Sequence, residues 1–236
     1  MSWVLITGST SHLGKEIALH LAQNGQNLIL HYHSHSNLAE QVAKEIESMG
    51  RQTKILYGEF STQSGVQSFL QEYKKLNIQV ESVVNNVGPY MQKTLLQSSI
   101  EDLQDVFQTN FFASVSIVKA LLPDLQKSKG SIIYLGFPAL SRGKIRKIAP
   151  GYALAKETLF VWMRSLAKEL LPFDVIANMV SPGYVELSTD LPEASRLPQG
   201  RYVTCAEIAA LIQYLTSPAG RSITGQNIEV AGGVGL

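Results

Sequence analysis

The sequence predicts a single doubly wound α/β domain, a parallel seven-stranded sheet flanked by helices, and three observations lead there. Short apolar runs alternate with longer segments of helical period, the pattern of βα units around a parallel sheet. Two of those runs, Ser82–Asn85 and Ser131–Leu135, are nearly all apolar or small, as strands buried on both faces should be. No repeat, linker or low-complexity stretch divides the 236 residues, a length that suits one large domain over 1–236.

Taken in order, strands are expected near Trp3–Thr7, Asn27–His33, Thr53–Tyr57, Ser82–Asn85, Ser131–Leu135, Asp174–Val180 and Asn227–Val230. Amphipathic helices are expected at His12–Asn24, Leu38–Met49, Gly65–Lys75, Glu101–Gln126, Gly151–Leu171 and Cys205–Ser217. Gly25 and Gly50 stand just past helix ends, where a glycine cap belongs. The longest irregular segments, Phe137–Pro150 and Pro182–Gly200, each begin beyond the carboxyl end of a strand, the rim where open α/β sheets bind ligands. The second, with Pro182, Pro192 and Pro198, is a lid candidate.

A formal net charge of +1 without a basic or acidic block argues against nucleic acid or an anionic membrane as the main partner. Cys205 is the only cysteine, which excludes an intrachain disulfide framework and a cysteine metal cluster. No secretory leader or membrane span is legible, so a cytoplasmic protein is expected.

Two motifs carry chemistry. Thr7-Gly8-Ser9-Thr10-Ser11-His12-Leu13-Gly14 joins the first strand to the first helix. Glycine there lets a phosphate approach the backbone, and the helix N-terminus offers free N–H groups and a positive dipole end. Tyr152 and Lys156 lie four apart on one helix face, where a cation favours phenolate over phenol and prepares the tyrosine for proton transfer.

With Asn85-Asn86-Val87-Gly88, Asn110, Pro182-Gly183 and Gly232-Gly233 in order between and beyond these motifs, the chain resembles the short-chain dehydrogenase/reductase superfamily nearly end to end. In motif style it is similar to the 3-oxoacyl-acyl-carrier-protein reductases and pteridine reductases within it. The resemblance implies a Rossmann domain and a reductase in which Tyr152 protonates the substrate oxygen as hydride arrives from a nicotinamide. Lys156 would hold the nicotinamide ribose and tune Tyr152, and Asn110 would hold a water of a proton relay. The cofactor is expected against Gly8, Ser11, His12, Leu13, Gly14, His33, Ser34, Glu59, Asn86, Gly88, Pro182, Gly183 and Val185. A homotetramer or dimer is the assembly the resemblance implies.

Several departures bear on specificity. His12 stands where the family usually has the middle glycine of the loop. No acid lies between Leu28 and Leu38 to receive the adenosine ribose hydroxyls, so NADPH is favoured over NADH, with His12, His33, Ser34 and Ser36 as donors to a 2′-phosphate. Glu59 replaces an aspartate that contacts adenine. His31, His33 and His35 alternate, but no acid or cysteine beside them supports a metal site. Leu187 replaces a threonine that meets the carboxamide, with Ser188 and Thr189 adjacent. The serine that normally holds the substrate carbonyl is replaced by Phe137 or Ala139, leaving Ser141, Tyr90 or a backbone amide as substitute donors. Lys144, Arg146 and Lys147 form a basic cluster that suits a solvated loop or an anionic carrier. A 3-oxoacyl thioester is the first expectation for the substrate and a dihydropterin the second. A weakly active nucleotide-binding protein on the same fold is the rival.

Overall fold

In a computed structural model, residues 2–10, 12–140, 148–188 and 191–236 are described. Seven parallel strands run in the order β3-β2-β1-β4-β5-β6-β7: β1 Trp3–Ile6, β2 Asn27–Tyr32, β3 Thr53–Tyr57, β4 Ser82–Asn85, β5 Ser131–Leu135, β6 Ile176–Pro182 and β7 Asn227–Val230. The strand order reverses between β1 and β4, paired through Ile6 and Val84, and this switch point opens the crevice in which such sheets bind ligands.

Both faces of the sheet are covered, so successive strand residues enter different cores. Leu5, Ile29, Val83, Ile132 and Met179 pack with Phe69 of α3 (Gln63–Lys75), Ile117 and Leu121 of α5 (Ala113–Ser128) and Met163 of α6 (Pro150–Leu170). Their neighbours Ile6, Leu30, Val84 and Ile133 pack with Leu21 of α1 (His12–Gln23), Ile46 of α2 (Ser36–Ser48) and Ile212 of α7 (Cys205–Thr216).

The element boundaries shift for identifiable reasons. Thr62 caps α3 by accepting from the Gly65 amide at 3.0 Å, so that helix starts two residues before the expected Gly65. Asp174 has a left-handed backbone, φ 55°, and β6 therefore begins at Ile176 rather than Asp174. Glycine ends both α1 and α2 as expected, Gly25 at φ 95° and Gly50 at φ 75°.

The helix expected over Glu101–Gln126 spans Ile100–Ser128 and is interrupted by one π turn, Gln108–Phe112, between α4 (Ile100–Phe107) and α5. This stretch has the length and apolarity of a membrane span, where the sequence suggested none because Gln108, Thr109 and Asn110 break its apolar run. Ile117, Val118, Leu121 and Leu125 on its inner face are buried against the sheet.

Candidate active site

The phosphate turn is fixed from inside the fold. Thr7 Oγ1 accepts the amides of Asn86 and Val87 at 2.9 and 3.1 Å, and Asn86 Nδ2 donates to Gly8 O at 2.9 Å. Asn86 thus ties the end of β4 to the turn after β1. A Cβ on Gly14 would lie 2.0 Å from Gly8 O, so the first turn of α1 can pack on this loop only with glycine there. His12 adopts φ 46°, the left-handed conformation that explains why the family prefers glycine at this position. Ser11 lies outside the described residues.

A cavity of about 1060 Å³ runs from this turn over the carboxyl ends of β4, β5 and β6. Among its lining residues are His12, Leu13, Asn86, Gly88, Tyr152, Lys156, Pro182, Gly183 and Val185, which brings nine of the expected site residues into one continuous wall. Gly8 and Gly14 form the turn beneath that wall.

Tyr152 faces the cavity from the first turns of α6, and Lys156 Nζ lies 5.6 Å from the centroid of its ring. Lys156 is buried, and that burial lowers its pKa from the ordinary 10.5 to about 8. Asn110 comes from the π turn, an irregularity that recurs at functional sites. Its Nδ2 donates to Val106 O at 3.1 Å and Pro89 O at 3.2 Å, while its buried Oδ1 has no hydrogen-bond partner among the described residues. Gly88 makes room for both groups: a Cβ there would lie 2.7 Å from Lys156 Nζ and 2.8 Å from Asn110 Oδ1. Lys156 and Asn110 therefore approach one point above Gly88, beside the Tyr152 ring.

The substrate wall carries the departures. Phe137 packs against Tyr152 at 5.9 Å between centroids and Tyr90 meets it edge-on at 5.2 Å. The Ala139 amide donates to Glu229 Oε1 at 3.0 Å and is thereby engaged within the fold. Ser141, Lys144, Arg146, Lys147 and Thr189 lie outside the described residues. Leu187 is exposed at φ 70° and does not reproduce the missing threonine. The start of the connection after β6 is pinned to its end, with Glu186 N bonded to Val203 O and Val203 N to Tyr184 O, each at 2.9 Å.

After β2 and β3, where the sequence places the adenosine, His33 Nε2 pairs with Glu59 Oε2 at 2.6 Å. Glu59 also accepts the Ser61 amide, which together with His33 holds its pKa below the usual carboxylate range. An acid therefore does reach the segment after β2, from the connection that follows β3. The Ser34 hydroxyl is engaged by His35 Nδ1 at 2.9 Å. His33, Ser34 and Glu59 stand beyond the lining of the main cavity. The three alternating histidines do not converge, since His31 is buried, His33 pairs with Glu59 and His35 precedes α2 with a left-handed backbone. No cluster of potential metal ligands occurs among the described residues. Two groups escaped the sequence: His31, hidden by that alternation, and Glu186, which lines the cavity and accepts the Cys205 amide at 3.1 Å.

A parallel sheet with a glycine-shaped turn at its switch point is the doubly wound, dinucleotide-binding class of α/β fold. The chain belongs to the short-chain dehydrogenase/reductase superfamily. A family profile described as enoyl-(acyl carrier protein) reductase matches residues 8–235. The 3-oxoacyl-[acyl-carrier-protein] reductase of Synechocystis sp. is 30% identical, over 98% of this chain and 95% of its own. The enzyme of the same name from Staphylococcus epidermidis is 27% identical over 98% and 97%. Among solved structures, acetoin dehydrogenase YohF from Salmonella typhimurium superimposes with a TM-score of 0.90 at 26% identity, covering 99% of this chain and 97% of its own. A blue fluorescent protein from a metagenomic library, in complex with NADPH, gives 0.91 at 24% identity, covering 100% and 98%. The protein is an oxidoreductase of this superfamily.

Proposed function

We propose that this chain is an NADPH-dependent carbonyl reductase in which Tyr152 is the proton donor. The observation that carries the proposal is the meeting of Tyr152, buried Lys156 and the unpaired Asn110 Oδ1 around Gly88 on one cavity wall. The reduced nicotinamide, when bound, supplies hydride to the carbonyl carbon. The chain's own residues do the rest. Tyr152 gives its proton to the carbonyl oxygen, and the Lys156 ammonium stabilises the phenolate left behind. Asn110 Oδ1 accepts a hydrogen bond from the group that returns a proton toward Lys156.

The diphosphate is to be held at the Gly8–Gly14 turn, with Ser11, His12 and Leu13, and the nicotinamide end against Asn86, Gly88, Pro182, Gly183 and Val185. His33 and Ser34 would meet a 2′-phosphate, with Glu59 as the countercharge that the phosphate must displace from His33. Tyr90, which lines the cavity edge-on to Tyr152, would hold the substrate oxygen, since Phe137 has no polar donor and the Ala139 amide is engaged by Glu229.

A 3-oxoacyl thioester is the first choice of substrate, supported by full-length similarity to 3-oxoacyl-acyl-carrier-protein reductases. The rings of Phe137 and Tyr90 beside Tyr152 favour a planar dihydropterin as the second. Exposed Phe112, Leu154 and Val161 on the helices after β4 and β5 support a homo-oligomer. The same full-length similarity supports a cytoplasmic location. NADPH oxidation against 3-oxoacyl thioesters, diketones, quinones and dihydropterins tests the assignment. Turnover of a 3-oxoacyl thioester above the others supports it, and no turnover of any carbonyl sinks it.

A further inference from the structure

His31 lies in the middle of the nucleotide-binding half, yet it touches neither the cavity nor solvent. Its ring Nδ1 accepts the Gly8 amide at 2.9 Å, and a backbone N–H can only donate, so this nitrogen carries no proton. The proton therefore sits on Nε2, which donates to Gly58 O at 3.0 Å. Burial depresses the pKa of the ring to about 4, and it stays in this one neutral tautomer under ordinary conditions. The His31 carbonyl takes the Ser9 amide at 3.1 Å and the Ser9 hydroxyl at 3.3 Å.

The ring is also clamped in plane. It stacks on Phe60 with centroids 4.0 Å apart and planes 4° apart, and Phe69 meets it edge-on at 5.3 Å. Gly58 is shaped to it, because a Cβ there would lie 2.7 Å from the imidazole. One residue thereby joins two connections that are distant in sequence. On one side is the phosphate turn, where Gly8 N–H points inward to His31 and Gly8 O is taken by Asn86. On the other is the connection after β3, where Glu59 follows Gly58 and pairs with His33.

We infer that His31 is a positioning residue for the cofactor, an internal strut that sets the Gly8 peptide and couples the diphosphate turn to the adenosine wall. It acts through Gly8 and never touches the ligand. The inference rests on the nicotinamide-cofactor assignment and adds to it a residue outside the binding surface.

Two substitutions separate this role from packing. Asn keeps an acceptor at the Nδ1 position but loses the ring, whereas Phe keeps the stacked ring and offers no acceptor. NADPH and NADH titrations by fluorescence on the full chain, with melting temperature and Gly8 amide exchange as readouts free of cofactor, give the comparison. His31→Asn is expected to melt below His31→Phe yet bind NADPH within about threefold of wild type and keep the Gly8 amide protected. His31→Phe is expected to lose about tenfold or more in affinity, with fast exchange at Gly8. Affinity that instead follows melting temperature, with His31→Phe binding as wild type does, overturns the inference. Wild-type protein that binds neither dinucleotide overturns the cofactor assignment itself, a result distinct from an inverted order of the variants.

Discussion

The turn after β1, at one end of the cavity, is backbone held by buried partners, whereas the Tyr152 end is walled by rings and exposed side chains on long connections. Around Gly8, three groups are fixed: Thr7 Oγ1, Asn86 Nδ2 and His31 Nδ1 each make an internal bond to the turn or from it. Around Tyr152, the flanking groups are Phe137 and half-exposed Tyr90, with Leu187 and Ile148 further out and open to solvent. The first end can accept one geometry. The second can change its side chains while the fold stands, and that is where the family's serine and threonine have been replaced. On the proposed function, cofactor recognition is a property of packing and substrate recognition a property of loops.

The strongest way to break this comparison is Gly14→Ala. The new methyl would meet the Gly8 carbonyl at 2.0 Å, and backbone would have to move. Overpacking of this kind costs about 1–3 kcal/mol or more. Because it displaces the turn itself, cofactor affinity should fall about a hundredfold, measured by NADPH fluorescence. Normal binding by the Gly14→Ala variant would show the turn to be pliable.

Next in size is Lys156→Met. The buried ammonium titrates near 8 in the fold against an ordinary 10.5, so the unfolded chain holds the extra proton between those values. Stability of the wild type should therefore rise as pH goes from about 8 to 10.5, with the full penalty of roughly 3 kcal/mol present below 8. Methionine removes that penalty, and denaturant unfolding at pH 7 should show a more stable protein with a flat profile across the window. Activity should move the other way, falling in wild type above pH 8 as the ammonium is lost. A Lys156→Met variant less stable than wild type would contradict the burial argument.

His12→Gly is a smaller effect of the same kind on the cofactor side. Glycine accepts φ 46° without strain, and melting should shift upward by an amount equivalent to about 0.5–1 kcal/mol, while NADPH binding weakens if the imidazole reaches the phosphates. The smallest effect expected is from Glu59→Gln, which frees His33 from its 2.6 Å partner. The ratio of NADPH to NADH affinity should rise about threefold, and a fall would mean that Glu59 serves the adenosine hydroxyls instead.

The sequence carried the buried half well because period, glycine spacing and strand order are enforced by packing. Of the six residues Gly8, Gly14, Asn86, Gly88, Tyr152 and Lys156, the last four line one cavity and the first two form the turn beneath it. What it could not carry were meetings across the fold. Glu59 reaches His33 only because β2 and β3 are neighbours in the sheet, with Tyr32 opposite Tyr57. The absence of an acid after β2 therefore said less about the cofactor than it promised. His31 was hidden because alternation along a strand resembles a ligand set until burial separates its members. The π turn at Asn110 was invisible for a different reason: one wide turn between two helical segments has no residue pattern of its own.

Both ends of the cavity converge on Tyr152, and Tyr152→Phe tests the account most directly. Assayed with NADPH and the best substrate from the carbonyl panel, turnover should fall by about a thousandfold or more while NADPH affinity stays within about twofold, since the phenol ring and its packing on Phe137 and Tyr90 remain. Turnover unchanged by loss of that one hydroxyl would contradict the assignment of Tyr152 as the proton donor.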